Sequence, residues 1–277
     1  MTQQNTTTFS SVGAVLQERL KETDETCPIH KINLISAFGK ASICMECGRE
    51  AIAKRDQELA EETMKEHVKR KTQYWLERRS VFLDETLRKA SFENYKEDDE
   101  ETARNKEQAL KIAREYFSGA TYNTIFTGKP GTGKSHLSMS MLKVVNEHSE
   151  PFRKCLFVSI DELMRRIKDS FKNKDSQYTE QRMIELLTGA DLLVIDDLGA
   201  ETGAIDSDKA ASNFTTKTLY AIVNGRANKP TIITTNLNSK ELTKMYDSKL
   251  ISRMFRGAEG HIISFKETND KRISVEF

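Results

Sequence analysis

One stretch, TIFTGKPGTGKSHLSMSMLKVV at residues 124–145, constrains this chain more than any other. A short apolar strand, Thr124 to Thr127, runs into a glycine-rich turn, and a helix follows from Lys134. Inside it, GKPGTGKS at 128–135 satisfies the phosphate-loop pattern G-x-x-x-x-G-K-[ST] at every required position. Gly128, Gly131 and Gly133 let the backbone curl so that successive N–H groups converge on an anion. The helix adds its positive N-terminal end. In that geometry Lys134 reaches the β- and γ-phosphates, and the Ser135 hydroxyl is placed to ligate Mg²⁺. A chance glycine turn would not carry a strand before it and a helix after it. The stretch predicts a nucleotide site.

The downstream chain supplies what such a site needs. CLFVSI (155–160) is a continuous apolar run of the kind buried in a parallel sheet. In DLLVIDDLG (191–199) four apolar residues, Leu192 to Ile195, are followed by two acids. Asp196, at the carboxyl end of that strand, is expected to hold Mg²⁺, and Asp197 to orient and deprotonate an attacking water. PTIITTNLN (230–238) gives a further strand tipped by Asn236, whose polar side chain is suited to fixing that water. HIISF (261–265) is the last core strand. Helices are expected over 102–117, from Asp161 to about Phe171, over 179–187 and over 207–228. Arg253 and Arg256 follow a short helix in LISRMFRG (250–257). Strands alternating with helices predict an α/β fold, a parallel sheet sandwiched by helices.

The N-terminal part has a different chemistry. Cys27-x-x-His30 and Cys44-x-x-Cys47 form two pairs of metal-binding side chains. A two-residue gap points both members of a pair at one ion, and Zn²⁺ favours four such N and S ligands in a tetrahedron. Ile32, Leu34, Ile35 and Ile43 alternate around a Gly39-Lys40 turn, so the segment between the pairs reads as a hairpin. Four protein ligands predict a structural zinc site with no open position for catalysis. Cys155, alone in an apolar strand, is expected to be a buried thiol. Before the cluster, Val12 to Leu20 is expected to form a short helix. After it, residues 46–79 are rich in Glu, Lys, Arg and Ala. Their thin apolar stripe (Ile52, Leu59, Met64, Val68, Trp75) predicts one or two long exposed helices that dock on a partner or on the following domain. The domain boundary is expected near residue 90, giving a zinc-binding domain with a helical extension (1–90) and an ATPase domain (91–277).

Net charge is only +1, so DNA contact would need a local basic patch, not a global field. No apolar run approaches the roughly 18 residues of a membrane span, and the first residues lack the order of a signal peptide. The chain is expected in the cytoplasm, where its four cysteines stay reduced.

Taken together, GKPGTGKSHL, LLVIDDLGAE, NGRANKPTIITTNL and LISRMFRG resemble the AAA+ ATPases, and among them the DnaC/DnaI-type replicative helicase loaders. They also resemble the related ATPase subunits of IS21-type transposition systems. The resemblance covers roughly residues 91–277, and the zinc knuckle is similar to the helicase-binding domain of the DnaI branch. It implies that Gly128, Pro130, Gly131, Thr132, Gly133, Lys134, Ser135 and His136 contact ATP. It also implies that Asp196 and Asp197 form Walker B and that Asn236 is sensor 1. Arg253 matches the arginine finger that acts on a neighbour's ATP, so the resemblance implies self-association. Arg272 stands near the sensor 2 position, with Lys271 replacing the aromatic residue expected before it. The resemblance further implies single-stranded DNA contact along 161–188, where Arg165, Arg166, Lys168, Phe171 and Lys172 offer charge and a stacking ring. The expected function is ATP-dependent delivery of a replicative hexameric helicase onto single-stranded DNA. A transposition ATPase that delivers a transposase, and a non-hydrolysing adaptor, are its rivals.

Overall fold

The computed structural model describes residues 20–37, 41–173, 175–202 and 211–271. The chain divides into two compact units, residues 1–67 and 68–277. In the first, strand β1 (Leu20–Thr26) pairs antiparallel with β2 (Asn33–Ala37). The hairpin therefore flanks the first ligand pair, whereas the sequence placed it wholly between the two pairs. The turn it closes carries Cys27 and His30, with Lys31 in the left-handed region at φ 59°. Ile43 bridges back to Ile35 and brings the second pair to the start of a helix, Met45–Tyr74. Leu20 is the first residue of β1, not the end of a helix; residues 12–19 of that expected helix, and Gly39-Lys40, lie outside the described residues.

The expected exposed helix is a single element of 30 residues that continues as a π-helical turn, Trp75–Arg79. Ile52, Leu59 and Met64 are all more than 60% exposed on it, whereas Trp75, at its end, packs against the core of the second unit. The division between units falls at 67/68, and the boundary expected near residue 90 lies inside the second unit. The reason is packing: Leu76, Val81, Phe82, Ala90 and Phe92 are buried in that unit's core. Phe82 stacks on Phe157 with centroids 4.9 Å apart, and Val81 pairs in parallel with Val158 at the sheet edge.

The second unit is built on a five-stranded parallel sheet. Its strands are β3 (Thr124–Gly128), β4 (Cys155–Ser159), β5 (Leu192–Leu198), β6 (Thr231–Thr235) and β7 (Ile262–Phe265), in the order β4-β5-β6-β3-β7. Alternation along each strand feeds two cores. Leu156, Val158, Leu193, Ile195 and Ile233 face one side, and Cys155, Phe157, Leu192, Val194 and Ile232 face the other. Helices Glu100–Phe117 and Lys134–His148 cover the second face, with Ile112, Ala113, Tyr116, Leu137 and Leu142 buried. Tyr116 is buried near the end of the first of these helices, and Phe117 beside it is exposed. Ile160–Asp169, Glu180–Gly189 and Asn213–Gly225 cover the first face. The strand order matters for the site: β6 lies between the glycine-turn strand β3 and the acid-bearing strand β5. Whatever side chain tips β6 must stand between the two motifs.

Candidate nucleotide and metal sites

The turn after β3 takes the conformation its glycines permit. Gly128 has φ +144°, and a Cβ there would stand 2.5 Å from the Phe265 carbonyl oxygen, so only glycine fits beside β7. Gly133 caps the helix Lys134–His148 at φ 104°. Thr132 is buried and its hydroxyl donates to Lys129 O at 3.0 Å, which turns it into the loop and away from the cavity. A cavity of about 460 Å³ opens over the turn, lined by Pro130, Gly131, Gly133, Lys134, Ser135 and His136 and by Asp196, Asp197 and Asn236. The His136 imidazole bonds Ser91 O at 2.9 Å, and burial pushes it below its usual range.

Inside the cavity one side chain links the motifs. Lys134 Nζ donates to Gly128 O (2.7 Å), Lys129 O (2.6 Å) and Asn236 Oδ1 (2.7 Å). The Asn236 amide nitrogen then donates to Asp197 Oδ1 at 2.7 Å. Asp197 sits at φ 58°, an uncommon conformation for a side chain with a Cβ and one that costs on the order of 1 kcal/mol. The β5–β6 register shifts between Ile195 and Leu198 as a consequence. Thr234 supports both acids: its hydroxyl donates to Asp196 Oδ1 (2.7 Å) and accepts from the Asp197 N–H (2.8 Å). Burial pushes the Asp196 carboxyl up to about 6, against hydrogen bonds from Ser135 and Thr234. Ser135 and Asp196 together present hard oxygen ligands at the phosphate turn, the donor set Mg²⁺ prefers.

Arg253 does not line this cavity. Its guanidinium lies 4.7 Å from the Tyr220 ring centroid and donates to Asn224 Oδ1 and Lys249 O, both at 3.1 Å. Arg272 lies outside the described residues; Lys271, one position earlier, lines the cavity. Of the expected DNA-contacting cations, Arg165 pairs with Glu162 and Asp169, and Arg166 with Glu162 and the Tyr178 hydroxyl. Phe171 remains 61% exposed, edge-on to Phe214.

In the first unit Cys27, His30, Cys44 and Cys47 converge, their ligand atoms all within 4.8 Å of one another. Tetrahedral zinc with Zn–S of about 2.3 Å and Zn–N of about 2.0 Å requires edges of about 3.8 Å (S···S) and about 3.6 Å (S···N). The structure has Cys27 Sγ–Cys47 Sγ at 3.6 Å, and His30 Nδ1 at 3.8, 3.6 and 3.3 Å from Cys27, Cys44 and Cys47. Contact with the Cys27 sulfur pushes the Cys47 thiol up to about 12, a crowding that a divalent cation relieves. Backbone N–H groups of His30 and Cys47 point at the Cys27 and Cys44 sulfurs, at 3.4 and 3.5 Å. The residues fit zinc.

Sequence reasoning missed four participants. Glu50 Oε1 lies 3.0 Å from His30 Nε2 and orients the ring from behind; the signal was its place one helical turn after Cys47. Thr234 lies in β6 two residues before Asn236. Tyr95 and Lys271 wall the cavity, and nothing in their spacing announced it.

The sheet order, the glycine turn and the two acids define a P-loop ATP-binding protein of the AAA+ type. Residues 37–259 match the IstB-like ATP binding protein family, and the chain belongs to it. Among curated relatives it is 33% identical over 172 residues to the replicative helicase loader DnaC of Escherichia coli (strain K12). That match covers 60% of this chain and 63% of the relative, so the chain spans less than two thirds of that protein's length. In fold it is similar to the crystal structure of DnaI (TM-score 0.51, 20% identity, 68% of this chain and 95% of the other). It is equally similar to AMPPCP-bound DnaA from Aquifex aeolicus (TM-score 0.51, 20% identity, 69% and 53%). Among the described residues no helix is long and apolar enough to cross a membrane.

Proposed function

We propose that this chain is an ATP-dependent loader that delivers a replicative hexameric DNA helicase onto single-stranded DNA as replication begins. The observation that carries the reading is the linkage of Lys134, Asn236 and Asp197 across one cavity. ATP would lie with its phosphates in the turn 128–135 and Lys134 on the β- and γ-oxygens. Ser135 and Asp196 would hold Mg²⁺, which neutralises charge on the phosphates when bound. Asp197 orients the attacking water and takes its proton, and Asn236 holds that carboxylate in direction. Arg253 serves the site of a neighbouring copy, so the AAA+ units self-associate. The Cys–His unit holds Zn²⁺ structurally and grips the helicase, and the segment 161–188 meets single-stranded DNA. The chain works in the cytoplasm. The description of its relatives as replicative helicase loaders supports this choice of partner.

The family's link to IS21 elements favours one rival, delivery of a transposase to target DNA. Affinity capture from host extract with ATP separates the two. Retention of the replicative helicase supports the loader, and retention of a transposase in its place overturns it. A steady-state phosphate-release assay with single-stranded DNA tests hydrolysis, and no turnover would leave a nucleotide-set adaptor.

A further inference from the structure

After β7 the chain turns back over the glycine turn, and residues 266–271 form a strap held at both ends. Glu101 pins the start. One of its carboxylate oxygens accepts from Lys266 N at 2.8 Å. The other accepts from Thr268 N (2.8 Å), Thr268 Oγ1 (2.6 Å) and Glu267 N (3.1 Å). At the far end the Lys271 N–H donates to Gly131 O at 3.1 Å, and a Cβ on Gly131 would stand 1.7 Å from Asp270 Oδ1. The strap thus rests on the apex of the phosphate turn. It carries the Lys271 ammonium to the cavity wall, 4.8 Å from the Tyr95 ring centroid and 2.9 Å from Asp98 Oδ2. Tyr95 is itself wedged beneath Gly133, where a Cβ would meet its ring at 2.8 Å.

So many attachments on so short a segment hold one cation beside a turn built to receive an anion. We propose that Lys271 is a nucleotide-binding residue that contacts the phosphate chain of a nucleoside triphosphate, and that Glu101 is its positioning residue. The polyphosphate, carrying more charge than one carboxylate, takes the ammonium over from Asp98 and from the Lys96 carbonyl oxygen, to which it also donates. The inference rests on the reading of residues 128–135 as a nucleotide site and adds to it a wall that the motif does not contain.

The test is titration of the full chain with a fluorescent ATP analogue at several salt concentrations. The proteins are wild type, Lys271→Ala, Lys271→Arg, Glu101→Gln and Lys134→Ala. Lys271→Ala should weaken binding about tenfold, the loss of one charge-assisted contact. Its affinity should also depend less on salt than that of wild type. Lys271→Arg should restore binding to within about twofold, because the charge is kept. Glu101→Gln should weaken binding with an unchanged far-ultraviolet circular dichroism spectrum, since an amide offers one acceptor oxygen where two are used. Wild-type affinity in Lys271→Ala beside lost binding in Lys134→Ala overturns this inference alone. Retained binding in both overturns the nucleotide site itself. Equal weakening in Lys271→Ala and Lys271→Arg, with unaltered salt dependence, makes Lys271 a packing residue and refutes the contact. Unaltered affinity in Glu101→Gln, with Lys271→Ala weakened, refutes the positioning role.

Discussion

Asn236 binds Asp197 through its amide nitrogen at 2.7 Å, and its oxygen accepts from Lys134 at the same distance. The tip of β6 thereby reads the glycine turn and the second acid together. This follows from sheet order, because β6 is the strand between those that carry them. On the proposed reading, a nucleotide that draws Lys134 onto its phosphates would exchange the contact to Asn236 and leave the one to Asp197.

The three residues should separate by what they do. Lys134→Ala should abolish nucleotide binding with the fold intact. Asp197→Ala and Asn236→Ala should bind a fluorescent ATP analogue and slow hydrolysis by roughly 100-fold or more. Equal binding by Lys134→Ala and Asp197→Ala would show that this division of labour is wrong.

The Cys–His cluster makes a separate prediction, because a structural zinc ion held there would supply on the order of 10 kcal/mol to so small a module. Cys44→Ser should release the metal and unfold residues around 27–48, while the ATPase unit survives. Glu50→Gln removes the acceptor behind His30 and should weaken zinc affinity by roughly 10- to 100-fold, measured by competition with a chromophoric chelator. Unchanged zinc content by native mass spectrometry in Cys44→Ser would remove that residue from the ligand set.

Stability in acid should register Glu101. Burial alone would raise its carboxyl, but the donors from Thr268, Lys266 and Glu267 win and hold it near 2, below the usual 4.5. The sign follows: a depressed folded-state value stabilises fully above about 4.5, and the contribution is lost as pH falls through about 2. Wild type should therefore lose thermal stability between pH 5 and pH 2 more steeply than Glu101→Gln. Parallel curves for the two proteins by differential scanning calorimetry would contradict this.

What the sequence revealed and what it hid have physical causes. The apolar runs 155–160 and 192–195 read as buried strands, and the glycine spacing of 128–133 reads as a phosphate-binding turn. Those features are local. The strap contacts of Glu101 and Lys271 join residues far apart in the chain, so no window of sequence displays them. Arg226 was equally hidden. It reads as a polar residue after a helix, yet it is 1% exposed and donates to Leu187 O, Ala190 O, Pro230 O and the Thr231 hydroxyl. The boundary near residue 90 followed the acidic run SFENYKEDDE. Packing instead followed Phe82 and Phe92, which lie just before and within that polar stretch.

Arg253 distinguishes a self-contained ATPase from an assembling one. Within its own chain it rests on Tyr220 and Asn224 and does not line the cavity, so any part it takes in hydrolysis must be played on another copy. An arginine supplied in trans to a transferring phosphoryl group can be worth roughly 10³-fold in rate. The contacts to Tyr220 and Asn224, by contrast, are those of a surface side chain and stabilise by about 1 kcal/mol or less. Arg253→Ala should therefore bind ATP normally, keep its thermal midpoint within a few degrees, and turn over slowly. Mixing it with Lys134→Ala subunits, which bind no nucleotide but keep Arg253, should restore part of the activity. Wild-type turnover per subunit should rise with protein concentration, more steeply with single-stranded DNA present. Turnover independent of concentration, with no rescue in the mixture, would leave Arg253 a structural residue and remove self-association from the mechanism.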